Sequence, residues 1–136
     1  MRRLTVLLAE DDAVTRLDLR RIVEEAGYHV CAETANGNEA VTRAREERPD
    51  LVVLDVGMPG LDGVEAARKI VAERPTPVVL LTGYGYGELV AKAIDVGVRA
   101  FVAKPFLETE LLEALQAAFA QRPTELGLAY LQIGRG

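Results

Sequence analysis

Ionisable side chains in this sequence collect where apolar runs stop. Leu4 to Ala9 ends on Glu10-Asp11-Asp12 and Leu51 to Leu54 ends on Asp55. Val78 to Leu81 ends on Thr82, and the run from Arg99 ends on Lys104-Pro105. If these runs are neighbouring parallel strands, the four ends meet on one rim. Carboxylates brought together there repel one another, which raises their pKa values unless a cation intervenes. An oxygen-only donor set with room for water suits Mg²⁺, with Mn²⁺ as the alternative. Glu10, Asp11 and Asp55 carry a formal −3; one Mg²⁺ leaves −1, and Lys104 can neutralise the remainder. Such a site is prepared for a phosphoryl group, whose oxygens need both a metal and an ammonium partner. Asp55 is then the nucleophile, since carboxylates form aspartyl-phosphates. Taken singly, each residue has a blander reading: a strand-end Asp caps or turns, and Asp12 is the natural cap of the first helix. It is their joint appearance at the right strand ends that points to chemistry.

The elements that would position them alternate regularly. The first strand, Leu4 to Ala9, is followed by a helix marked by Val14, Leu17, Ile22, Val23 and Ala26 and closed by Gly27. Tyr28 to Glu33 reads as the second strand, then the Asn36-Gly37 turn leads to a helix marked by Ala40, Val41 and Ala44, closed by Arg48-Pro49. Leu51 to Asp55 is the third strand, with Met58-Pro59 and Asp62-Gly63 turning the chain away. A third helix runs from Val64 to Ala72. Val78 to Thr82 is the fourth strand and leads into the glycine-dense loop Gly83 to Gly87, which can move at low steric cost. A fourth helix ends at Gly97, the fifth strand spans Arg99 to Lys104, and Leu111, Leu112, Leu115, Ala118 and Phe119 mark the last helix. This alternation predicts an α/β fold. Its sheet is five-stranded, parallel and doubly wound in the flavodoxin-like (βα)5 manner, with strand order 2-1-3-4-5. The ligand edge of such a sheet is the carboxyl ends of its strands.

With 136 residues and 49% hydrophobic composition, one domain with a real core is expected. We assign residues 1–122 to it and residues 123–136 to a tail or linker stub, with no output domain. The net charge of −5 argues against non-specific binding to nucleic acid or an anionic membrane. No apolar stretch approaches membrane-spanning length. The basic start is cut short by Glu10-Asp11-Asp12, so no signal peptide is expected. Cys31, the sole cysteine, fits packing in a strand in a reducing cytoplasm.

Val6-Leu-Leu-Ala-Glu-Asp-Asp12, Asp55-Val-Gly-Met-Pro-Gly-Leu-Asp-Gly63, Leu81-Thr-Gly83 and Phe101-Val-Ala-Lys-Pro-Phe106 together resemble the motifs of response-regulator receiver domains. The resemblance covers residues 4–121 and extends to receivers that precede RNA-binding antiterminator modules. It implies a phospho-acceptor signalling domain, not an enzyme acting on other substrates. Asp55 would take the phosphoryl group. Glu10 and Asp11 would serve the metal together with Asp55 and the backbone carbonyl of Gly57. Thr82 would hydrogen-bond the phosphoryl oxygen, Lys104 would pair with it, and Phe101 would be the switch aromatic. The Lys104-Pro105 bond would be cis. The implied donor is a histidine kinase or phosphotransfer protein. The implied output is a switched surface on the fourth helix, fifth strand and fifth helix. That surface would engage a downstream protein or output domain, or drive phosphorylation-dependent homodimerisation.

Several positions depart from the ordinary pattern. Gly57 and Tyr84 flank the acceptor with no side chain on one side and a bulky one on the other. Leu107 stands where a capping Asp or Ser is more usual, with Thr109 the expected substitute cap. His29 lies in the second strand, away from the rim. Rival readings fit less well. A phosphatase with an aspartyl nucleophile would need an acid at position 57, which is Gly. A flavodoxin-like binder would need a phosphate loop where Glu10-Asp11-Asp12 would repel phosphate.

Overall fold

The computed structural model describes residues 2–83 and 87–120. The expected tail and most of the glycine-dense loop, including Tyr84 and Gly85, lie outside them. Strands and helices alternate: β1 (Thr5–Ala9), α1 (Ala13–Glu25), β2 (His29–Thr34), α2 (Gly37–Glu47), β3 (Leu51–Asp55), α3 (Gly63–Glu73), β4 (Val78–Thr82), α4 (Gly87–Val96), β5 (Ala100–Ala103) and α5 (Glu108–Ala120). The strands form one parallel sheet in the order β2-β1-β3-β4-β5, as the alternation predicts.

Strand side chains alternate between two faces, and the core divides accordingly. Leu51 and Val53 of β3 pack with Leu19, Ile22 and Val23 of α1 and Leu111, Leu115 and Ala118 of α5. Val52 and Leu54 point the other way, among Ala40 of α2, Ala67 and Ile70 of α3, and Val90 and Ala93 of α4. Every residue from Leu51 to Leu54 is fully buried, which is why this stretch reads as an unbroken apolar run.

Helix ends follow local chemistry. Asp12, Asn36 and Asp62 accept from the backbone N–H groups of Thr15, Glu39 and Glu65 at 3.0, 2.8 and 2.9 Å, each an N-cap. Asn36-Gly37 is therefore a helix start, not merely a turn. At the C-termini of α1 and α4, Gly27 (φ +99°) and Gly97 (φ +101°) take left-handed conformations. Tyr28 and Val98 then donate back to Val23 and Ala93, each at 3.0 Å, completing Schellman motifs. At α5 the expectation of a Thr109 cap is corrected. Glu110 reaches back to accept from the N–H of Leu107 at 2.7 Å, the reciprocal half of a capping box that needs no polar residue at position 107.

The first helix holds a second correction. Val14 is 77% and Leu17 67% exposed; they lie opposite the buried stripe of Leu19, Ile22 and Val23. Phe119 of α5 is likewise 48% exposed. Among the described residues no helix is long and apolar enough to cross a membrane.

Candidate functional site

Strand alternation decides which side chains meet at the rim. Val6 and Leu8, Leu51 and Val53, and Ala100 and Val102 all face α1 and α5. Counting on by twos reaches Glu10, Asp55 and Lys104, so the three charges emerge on the same side of the sheet. The distances agree: Lys104 Nζ lies 2.5 Å from Glu10 Oε1 and 3.2 Å from Asp55 Oδ1. One carboxylate oxygen each from Glu10, Asp11 and Asp55 lies within 4.8 Å of the others. Asp11 is exposed, Asp55 is 6% exposed and Glu10 is wholly buried.

Burial raises the Glu10 carboxyl above the usual glutamate range, the charge of Asp55 adds to the rise, and Lys104 and the Asp12 N–H oppose it. The Asp12 N–H donates to Glu10 Oε2 at 3.1 Å. Glu10 Oε1 is buried with no hydrogen-bond partner beyond its ion pair with Lys104. For Lys104, burial alone would lower the ammonium. Its contacts with Glu10 and Asp55 outweigh burial and hold it above the ordinary lysine value. Asp12 is not part of this cluster. Its carboxylate is spent on Thr15, accepting from the backbone N–H at 3.0 Å and the hydroxyl at 2.5 Å, and those bonds lower its pKa.

Thr82 and Phe101 belong to the opposite face. Val78 and Leu80 point toward α3 and α4, and Thr82 continues that row. Phe101 pairs in register with Leu80 and is 3% exposed, one pleat deeper than Thr82 on the same face. Lys104 is tied to Thr82 through the backbone, its N–H donating to the Thr82 carbonyl at 2.8 Å. The Lys104-Pro105 peptide is cis. Gly57 is exposed in the turn after β3. His29 sits at the far end of β2. Cys31, half-buried, donates its thiol to the Val6 carbonyl at 3.6 Å, and burial raises its pKa, as fits a packed thiol.

Two features of the site escape a residue-by-residue reading of the sequence. Gly63 packs so closely under the end of β3 that a Cβ there would meet the Asp55 carbonyl oxygen at 2.3 Å. The exposed Val14 and Leu17 line a groove with Arg21, Lys104, Pro105 and Phe106, an apolar mouth beside the charged cluster.

Residues 6–116 match the response regulator receiver domain family. The chain is 41% identical over 116 residues to the transcriptional regulatory protein PdtaR of Mycobacterium tuberculosis, across 85% of this chain and 57% of that protein. It is 36% identical over 111 residues to the chemotaxis protein CheY of Thermotoga maritima, across 81% of this chain and 92% of that protein. Among solved structures it superposes on the CheX-CheY-BeF3-Mg+2 complex from Borrelia burgdorferi with a TM-score of 0.82 and 26% identity, covering 87% of this chain and 90% of that one. The chain thus spans little more than half of PdtaR and nearly the whole of CheY. By sheet order, rim chemistry and relatedness, it belongs to the receiver domains of two-component response regulators.

Proposed function

We propose that this domain accepts a phosphoryl group on Asp55 from the phosphohistidine of a histidine kinase or phosphotransfer protein. The observation that carries the proposal is the shared ammonium. Lys104 bridges Glu10 at 2.5 Å and Asp55 at 3.2 Å, with the exposed carboxylate of Asp11 within reach of both. The donor set fits Mg²⁺, or Mn²⁺ in its place: three hard carboxylate oxygens, one of them buried with only an ammonium for company. Glu10, Asp11, Asp55 and the Gly57 carbonyl would hold the ion. When bound it would offset the carboxylate repulsion and neutralise charge on the transferring group.

The chain's own residues do the rest. An Asp55 carboxylate oxygen forms the new O–P bond as the N–P bond of the donor breaks, the electron pair returning to the imidazole nitrogen. Lys104, already beside Asp55, turns to the phosphoryl oxygens. Thr82 donates its hydroxyl to one of them. Phe101, buried on the Thr82 face, senses that movement by packing alone. The readout surface is then α4, β5 and α5, a two-state element whose balance phosphorylation shifts. Its target is a downstream protein, an attached output domain or a second copy. The groove beside Lys104 suits the donor: its exposed apolar residues, Val14 and Leu17, can cover the apolar face of a helical partner while the phosphohistidine reaches Asp55.

The test is an intact-mass measurement after incubation with a small phosphodonor and Mg²⁺. The wild type should gain one phosphoryl group; Asp55→Asn, or wild type with chelator, should not. Equal gain in the variant would remove Asp55 from the role.

A further inference from the structure

We infer that Arg16 is a positioning residue for the acidic end of β1, and that the site's affinity for a divalent cation depends on it. The inference rests on the metal reading of the Glu10, Asp11 and Asp55 cluster. β1 leaves the sheet at Ala9, its last residue paired to both β2 and β3. One residue later the Glu10 N–H still has a partner, donating to the Thr34 carbonyl at 3.0 Å. The Glu10 carbonyl has left the ladder, yet Glu10 is wholly buried, and a buried carbonyl needs a donor. Arg16, one turn into α1, supplies it: Nη1 donates to the Glu10 oxygen at 2.7 Å. Its Nε lies 3.8 Å from Glu33 Oε1 at the end of β2, and its side chain is only 25% exposed. Glu33 is shared with Arg20, which also pairs with it.

The consequence is geometric. The bonded oxygen belongs to the Glu10–Asp11 peptide, and rotation of that peptide would swing the Glu10 and Asp11 carboxylates apart. Arg16 of α1 holds that plane through its oxygen, while β2 holds only the preceding peptide, through the Glu10 N–H, so the Arg16 bond is what continues the anchoring past the end of the ladder. Outer groups that fix the orientation of ligand-bearing residues typically matter tenfold or more for metal affinity. A guanidinium suits the task because its planar fork can reach a carbonyl and a carboxylate at once.

Calorimetric titration of Mg²⁺ into the metal-free protein tests this with three chains. Arg16→Met keeps the aliphatic stem and should bind Mg²⁺ about tenfold more weakly. Arg16→Lys retains one donor and should fall between. Amide hydrogen exchange at Asp11 and Asp12 should quicken in Arg16→Met without metal, a local change that a general loss of stability would spread over the whole sheet. Wild-type affinity in Arg16→Met overturns the inference, as does a deficit that vanishes at low temperature where the variant is fully folded. If the wild type itself takes up no Mg²⁺, the metal reading fails and this inference with it. Equal uptake by wild type and variant sinks only the role of Arg16.

Discussion

Replacing Gly63 by Ala adds one methyl group at the most constrained point beneath the site. A Cβ there would stand 2.3 Å from the Asp55 carbonyl oxygen and 2.9 Å from its carbon, both backbone atoms. No rotamer change relieves that contact, so α3 and the end of β3 must separate by roughly 0.7 Å, past the steep wall of the van der Waals potential. The separation would strain the 3.1 Å bond from the Gly63 N–H to the Val56 carbonyl. Overpacking at a buried site costs up to about 3 kcal/mol. For a domain of this size that lowers the midpoint of thermal unfolding by about 10 °C. Gly60, in the same loop, makes a useful contrast. It has a positive φ of +78°, but a Cβ there would come no closer than 3.4 Å to Asn38. Gly60→Ala should therefore cost only about 1 kcal/mol of left-handed strain. Thermal unfolding by circular dichroism ranks the three chains. Phosphoryl acceptance should also drop in Gly63→Ala beyond its loss of stability, because the displaced group is Asp55 itself. If Gly63→Ala melts within a couple of degrees of wild type, or above Gly60→Ala, close packing is not what requires glycine here.

Lys104→Met leaves Glu10 and Asp55 facing one another without an ammonium. The metal-free variant should lose about 2 kcal/mol in denaturant unfolding, moderated because the Lys104 side chain is 26% exposed. Mg²⁺ should restore more stability to the variant than to wild type, while phosphoryl acceptance falls about a hundredfold. The raised Glu10 carboxyl sets a pH dependence with a definite sign. Its folded pKa lies above its unfolded one, so its contribution to stability is full at low pH and is lost as pH rises through the folded value. In chelator, wild type should therefore gain stability relative to Glu10→Gln as pH falls from above the raised folded value toward the ordinary glutamate range, while Mg²⁺ affinity falls over the same interval. A gap between the two chains that ignores pH would contradict this. Leu17→Asp, at a site 67% exposed, should leave stability within about 0.5 kcal/mol. It should slow transfer from a phosphohistidine protein but not from a small phosphodonor; equal slowing of both would place the groove outside donor docking.

The fold was legible because each strand announces its own end. β3 and β4 have the bounds their apolar runs suggest, and the alternation of strand and helix leaves little freedom in sheet order. The side of the sheet on which the charges emerge was also there to be read, since Glu10, Asp55 and Lys104 each continue a row of alternate strand residues. The exposure of Val14 and Leu17 also has a signature in the sequence. At 100° per residue Leu17 lies about 160° around the helix from Leu19, so both cannot face the sheet. What no local pattern discloses is close approach between distant segments. Gly63 under Asp55 looks like any glycine after an Asp cap. Gly37, where a Cβ would fall 1.9 Å from the Leu61 carbonyl oxygen, looks like half of a turn. The α5 cap is hidden for another reason: sequence points to an acceptor at or beside position 107, whereas Glu110 caps from inside the helix.

The position of Lys104 bears on why metal and phosphoryl group should arrive together. Its ammonium lies closer to Glu10 than to Asp55, at 2.5 against 3.2 Å, so the proposed acceptor is the less engaged carboxylate. Without metal the cluster of Glu10, Asp11, Asp55 and Lys104 carries a formal −2. Bringing a phosphoryl dianion onto Asp55 then gives −3 in a partly buried space, which Coulomb repulsion at low effective dielectric opposes. With one divalent cation the same two states carry 0 and −1. The cation would also take over the neutralisation of Glu10 and release the ammonium toward Asp55. On the proposed mechanism Lys104 would serve the acids before transfer and the phosphoryl oxygens after it, and the buried Glu10 is what would make its first post conditional on the metal.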